Sequence, residues 1–179
     1  DRFVCDPDFL NKVVHLIFDN FERDYPKSLT FLLTNPLFPV KCTKNLLSRF
    51  REHPRLFKQA IVTCPNIPLN ELLFELFSIQ NGELSLDISL RILQDYTTDM
   101  VREEIKKLSK VEVQNFIEFI INSREEETVR NSRQLFQLLS LVLDSIGLFA
   151  LEGSTLHNLA DYIDQQVAIT ERNSKLWYL

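Results

Sequence analysis

The chain has 179 residues, 45 % of them hydrophobic, with 14 phenylalanines and a formal net charge of −5. That length and apolar content suffice to bury a core in one domain or in two tightly joined halves, whereas only three glycines argue against barrels, sandwiches and phosphate-cradling loops, which need glycine at turns and close backbone approaches. The acidic balance disfavours indiscriminate attraction to nucleic acid or membrane surfaces, and Cys5, Cys42 and Cys64 are too scattered for a CxxC pair or a disulfide framework, which fits a reducing compartment.

Asp6-Pro7 supplies a cap and a first-turn proline, and Phe9, Val13, Leu16 and Ile17 recur behind it at helical spacing to about Phe21. His15 falls on the polar side of this helix and reads as a solvated surface histidine. Tyr25-Pro26 restarts the chain into a short apolar helix through Phe31, Leu32 and Leu33, stopped by Asn35-Pro36. Thr43 is expected to cap a helix over 43–52, and His53-Pro54 breaks it before a helix over 55–62. A metal or catalytic role for His53 is not expected, because no second histidine lies near it in sequence.

Between residues 41 and 58 lie Lys41, Lys44, Arg49, Arg51, Arg55 and Lys58 against the single acid Glu52, a surplus of five positive charges that leaves the rest of the chain at −10. Clustered cations are what RNA backbone affinity requires, so these six are the candidate phosphate contacts. The alternative is a solvated face that keeps the chain soluble.

Pro65-Asn66-Ile67-Pro68 is a rigid joint. Leu69, Leu72, Leu73, Leu76 and Phe77 then follow the spacing of a helix with one buried face, which Asn81-Gly82 is expected to end. Ser85 and Thr98 are read as caps of the next two helices. Ser109 and Glu112 have the spacing of a capping box ahead of Val113, Phe116, Ile117, Ile120 and Ile121, and the run from Ser123 to Glu126 repeats it before the most apolar stretch.

That stretch, residues 135–151, has 12 apolar residues of 17 and reads as a helix buried on every side. It falls short of the roughly 20 uninterrupted apolar residues of a membrane span and carries Asp144 in its middle. Gly147 interrupts or ends it, and Gly153-Ser154 starts a last helix over about 155–177. Leu156, Leu159, Ala160, Ile163 and Val167 form one apolar stripe on that helix, expected to face the core. Tyr162, Ile169 and Leu176 form a second, seven residues apart, which with Trp177 is the candidate partner-binding face.

The expected fold is therefore all-α, with stacked helical hairpins, solenoid-like, around a buried central helix and a long C-terminal helix. It is expected to be one domain over 1–179, divisible into 1–80 and 83–179. The start, DRFVCDPDF, lacks a methionine and a signal-peptide profile, so the sequence is read as a fragment of a longer chain. No histidine pair at metal spacing, nucleophile elbow, phosphate-binding glycine loop or Cys/His nucleophile arrangement is found in the sequence, and no enzyme, cofactor, metal, membrane contact or small-molecule substrate is expected.

Taken in order, these motifs resemble one family. Asp6-Pro7-Asp8-Phe9 opening an apolar helix, Tyr25-Pro26 with Leu32-Leu33, and Pro65-Asn66-Ile67-Pro68 leading to a leucine-rich helix that closes at Ser78-Ile79 make up the first half of the pattern. Residues 116–121, Leu141-Val142-Leu143-Asp144 and a final helix carrying Val167, Ile169 and Asn173 complete it. The pattern resembles the C-terminal helical domain of the nucleolar protein eleven and yeast U-three-associated protein eight family, subunits of the UtpA (t-UTP) subcomplex of the small-subunit processome. The resemblance implies a non-catalytic assembly subunit in the nucleolus that acts in pre-rRNA transcription and 18S rRNA processing. It further implies an N-terminal β-propeller before Asp1, sister UtpA subunits bound through their C-terminal helical domains, and the 5′ external transcribed spacer of pre-rRNA as a further contact. The alternatives are a general α-solenoid adaptor outside the nucleolus and an RNA-contacting helical module.

Overall fold

In the computed structural model of the chain, residues 6–21, 23–147, 151 and 153–176 are described, and every regular element among them is helical. The chain gathers into two compact units, Asp1–Leu72 and Leu73–Leu179, whose division falls inside one helix, Leu69–Ser78.

The first unit begins with α1 (Pro7–Asn20), where Asp6 accepts a hydrogen bond from the Asp8 backbone N–H at 3.1 Å and Pro7 occupies the first turn. Its buried face is Leu10, Val14, Ile17 and Phe18, about one residue round the helix from the expected stripe, so Phe9 and Leu16 stay 63 % and 60 % exposed. Aromatic packing accounts for the choice. Phe18, Tyr25 and Phe50 meet edge to face, with ring centroids 6.2 Å apart for Phe18 and Tyr25, 6.1 Å for Phe18 and Phe50 and 5.4 Å for Tyr25 and Phe50. Each such pair adds about 0.5–1.5 kcal/mol to the apolar burial, which the Phe9 face does not gain.

Next come α2 (Ser28–Leu33), a 3-10 turn over Val40–Cys42, α3 (Leu46–Arg49) and α4 (Pro54–Thr63). α2 and α3 both pack on α4. The expected helix over 43–52 is only the single turn of α3, because Asn45 adopts a left-handed backbone with φ 59°. Asparagine tolerates that conformation better than most residues. The Asn45 backbone N–H is then taken up by Glu71 Oε1 at 2.6 Å. α5 (Leu69–Ser78) buries Leu69, Leu72, Leu73, Leu76 and Phe77, the stripe read from its spacing.

The second unit contains α6 (Gly82–Asp95), α7 (Thr98–Ile105), α8 (Lys110–Asn122), α9 (Glu127–Arg130), α10 (Arg133–Ile146) and α11 (Gly153–Leu176). Asn81 does not end α5; its side chain accepts from the Leu84 N–H at 3.1 Å and caps α6, which leaves Ser85 buried inside that helix. Gly82 suits the close approach of α6 to α9, since a Cβ there would lie 3.0 Å from Glu126 Oε2 and 3.2 Å from Val129 Cγ2 and make those side chains give way. Thr97, not Thr98, caps α7. Ser123 closes α8 and opens nothing, while Ser132 caps α10.

α10 packs against both α6 and α7 and buries Leu135, Leu138, Leu139, Leu141 and Val142. It is not buried on every side as expected. Arg133, Gln137 and Asp144 are exposed on one face with half-buried Ser140 between them, and Asp144 approaches Arg102 of α7 at 3.8 Å. The helix ends at Gly147 (φ 76°, ψ 150°), a conformation almost closed to residues with a side chain.

At the start of α8 the capping box is complete. Glu112 Oε2 accepts from the Ser109 backbone N–H and Oγ, both at 2.8 Å, and the Glu112 N–H donates to Ser109 Oγ at 3.3 Å. Ser109→Ala is expected to destabilise the fold by about 1 kcal/mol in a urea titration at neutral pH. The bonds from Ser109 hold the Glu112 carboxyl below its ordinary value. A carboxyl lowered on folding contributes stability above its unfolded pKa of about 4.3 and loses it as pH falls through the folded value, so the difference between wild type and S109A should shrink below about pH 4. A difference that stayed constant into acid would remove the box as its cause.

Candidate interaction surfaces

Of the stripe of α11 expected to face the core, Leu159 is buried as read, but Leu156, Ala160 and Val167 point outward and Tyr162 of the other stripe is buried. The buried side is Thr155, Leu159, Tyr162 and Gln166, with Ile169 half-buried, while Leu156 is 39 % exposed, Val167 47 % exposed, Ala160 exposed and Ile163 half-buried. Tyr162 is therefore corrected from partner-binding residue to core residue: it is 0 % exposed and its ring tilts against Phe136 at 6.4 Å. The side chain of Leu176 and the whole of Trp177 lie outside the described residues. The first stripe is the richer in apolar residues, five against three, so it is the neighbours of α11 that select the buried side. α11 packs on α8, and Gln166 Nε2 donates to the Arg130 carbonyl at 2.9 Å, one of the four carbonyls that a helix C-terminus leaves unpaired. The outward apolar stripe of α11 is thus Leu156, Ala160, Ile163 and Val167.

All six cations of residues 41–58 are exposed, but they do not form one helix face. Lys41 sits on the 3-10 turn, Lys44 and Arg51 on loops, Arg49 on α3, and Arg55 and Lys58 on α4. The Arg49 guanidinium lies over the Phe18 ring, 4.5 Å from its centroid, and so braces the aromatic cluster. Lys41, Lys44 and Arg55 have no ion-pair partner among the described residues.

The structure also forms a groove that spacing did not signal. Tyr25-Pro26 and His53-Pro54 each set an aromatic residue just before a helix start, and the two rings meet edge to face at 4.9 Å. Beside them opens a cavity of about 510 Å³ lined by α2 and the first turn of α4, with Lys27, Phe31 and Arg55 along it. Phe31 is 76 % exposed. The only sequence cue was the pair of aromatic-proline steps, which says nothing of their meeting.

His15 is exposed as expected, yet its Nε2 lies 3.7 Å from Cys42 Sγ, and Cys42 Sγ is 3.5 Å from Asn11 Oδ1. This is a Cys/His approach hidden by a separation of 27 residues. Burial pushes the Cys42 thiol above its ordinary value and outweighs the opposing effect of Arg49, so it favours the neutral thiol over the thiolate nucleophile. Among the described residues, no three His, Cys, Asp or Glu side chains are grouped to hold a metal ion, and no helix is long and apolar enough to cross a membrane.

Such features define an all-helical protein whose distinctive surfaces are an outward apolar helix face and a cation-edged aromatic groove. Its sequence belongs to the Utp8 C-terminal family, whose model matches residues 1–179, in agreement with the resemblance read from the motifs. The chain is also 65 % identical over 185 residues to U3 small nucleolar RNA-associated protein 8 of Saccharomyces cerevisiae, and that match takes in all of this chain and 26 % of the yeast protein. The chain thus spans about a quarter of the length of that relative.

The Tyr162 hydroxyl is buried with no hydrogen-bond partner among the described residues, and burial pushes its pKa up to about 12. Tyr162→Phe is expected to be neutral or to stabilise by about 1 kcal/mol, since it removes an unsatisfied buried group and keeps the ring. Burial that raises a tyrosine pKa penalises only the ionised form, so folding loses stability as pH rises from the unfolded value of about 10 towards the folded one. Wild type should therefore lose stability above about pH 10 more steeply than Y162F in thermal melts. A clear drop in Tm for Y162F at neutral pH would mean that the hydroxyl is bonded.

Proposed function

We propose that the chain is a helical assembly domain acting in ribosome biogenesis, as a non-catalytic scaffold part of the small-subunit processome. Support comes from its family and from the name of its yeast relative, which associates that protein with U3 small nucleolar RNA. The finer reading is membership of the UtpA (t-UTP) subcomplex in the nucleolus, where the domain binds the helical C-terminal domains of sister subunits during pre-rRNA transcription and 18S rRNA processing.

The observation that carries the assembly role is the outward stripe of α11. Leu156, Ile163 and Val167 follow one another at spacings of seven and four residues along a 24-residue helix. A partner helix lying along α11 covers such a stripe with the same knobs-into-holes packing that joins helices in bundles. Ile169, half-buried on the opposite side, contributes little to that face.

A second reading is contact with pre-rRNA, including its 5′ external transcribed spacer, through Lys41, Lys44, Arg49, Arg51, Arg55 and Lys58. The exposure of all six favours it.

Co-purification and light scattering of the chain with each sister helical domain test the assembly role. The expected result is a stable complex with at least one of them, weakened at least tenfold by combined Leu156→Glu and Val167→Glu. Both positions are surface-exposed, so the helical content of the variant should be unchanged by circular dichroism. No complex with any sister domain, or a complex indifferent to both charges, would overturn it.

A further inference from the structure

We infer that the groove beside Tyr25 and His53 holds a nucleotide of single-stranded RNA, its base stacked on Phe31 and its phosphate between Lys27 and Arg55. The inference sharpens the RNA-contact reading and rests on it for the class of ligand, but it assigns the contact to a site that two of its three main residues, Lys27 and Phe31, place outside the 41–58 segment.

The groove is open and about 510 Å³, within the size range of small-ligand sites. Phe31 offers a ring 76 % exposed, which is unusual for the largest apolar side chain of a short helix that already buries Leu29 and Leu33. Lys27 and Arg55 are both exposed, and among the described residues neither has an ion-pair partner and Asp24 is the one acid along the groove. Two unspent cations beside a bare ring match the two parts of a nucleotide, since stacking is indifferent to base identity and the cations follow the backbone.

Two further features point the same way. α4 starts at Pro54 with no side-chain cap, so its first free N–H groups keep their capacity for an anion on the side where Arg55 stands. The Tyr25 and His53 rings, packed edge to face at 4.9 Å, form a second aromatic wall beside Phe31. An acidic peptide satisfies the cations but leaves Phe31 without a flat partner, which is why the observations favour RNA.

The test is a fluorescence-anisotropy titration of the 179-residue chain with a labelled single-stranded oligoadenylate at low and high salt. An abasic strand of equal length and polyglutamate serve as competitors. The expected result is salt-dependent binding, weakened about tenfold or more by Phe31→Ala, which removes one stacking contact. Phe31→Tyr should restore it, and combined Lys27→Glu and Arg55→Glu should abolish it. Phe31 is exposed, so F31A should keep the wild-type melting temperature.

Binding that survives F31A but is lost with Lys41→Glu and Lys44→Glu overturns the groove while leaving RNA contact through the basic segment intact. Equal affinity for the abasic strand overturns the stacking, and polyglutamate competing as well as unlabelled oligoadenylate overturns the assignment to RNA. Absence of any binding by the wild-type chain overturns the groove and the RNA-contact reading together.

Discussion

The longer helices α1 and α11 each have one side to hide and more apolar residues than that side can take. A helix of ten to fourteen residues is marginal alone and gains its stability from one packed face, so the contest between adjacent stripes decides both what enters the core and what is left outside. On α1 the contest goes to the Phe18 side, because Tyr25 and Phe50 supply edge-to-face partners there. On α11 it goes to the Tyr162 side, where Gln166 also satisfies a helix-end carbonyl. The surfaces proposed for binding are the losing stripe of α11 and an aromatic residue, Phe31, that found no place inside.

Much of the architecture was legible in the sequence for reasons that are local. Proline and aspartate at the first turn of α1, the Ser109 capping box and the leucine spacing of α5 act within one helical turn or one helix, and all three are present as read. Gly147 ending α10 is of the same kind. What was misread depends on neighbours distant in the chain. Asn-Gly suits the end of one helix and the start of the next equally well, and at Asn81-Gly82 the close approach of α6 to α9 favours the second. The 135–151 run looked apolar all round only because residues beyond Gly147 were projected onto the same wheel; within α10 the polar face of Gln137, Ser140 and Asp144 is intact.

The interaction surfaces were legible in kind but not in place. That α11 carries a surplus apolar stripe follows from its sequence, yet the identity of the stripe turns on α8 and on a carbonyl of α9, neither of which periodicity includes. The cations of residues 41–58 are exposed as their charge demands, but four different local structures scatter them, and Arg49 is committed to the Phe18 ring. The groove needed two aromatic-proline steps, 28 residues apart in the sequence, to be brought into contact. No local signal encodes such a meeting.

The bond from Gln166 to the Arg130 carbonyl bears on how α11 answers to force. Sliding the rod along its own axis by a single turn either way would part the buried Gln166 amide from the Arg130 carbonyl. The amide therefore acts as a detent against lengthwise slippage, fixing the register of α11 against the end of α9.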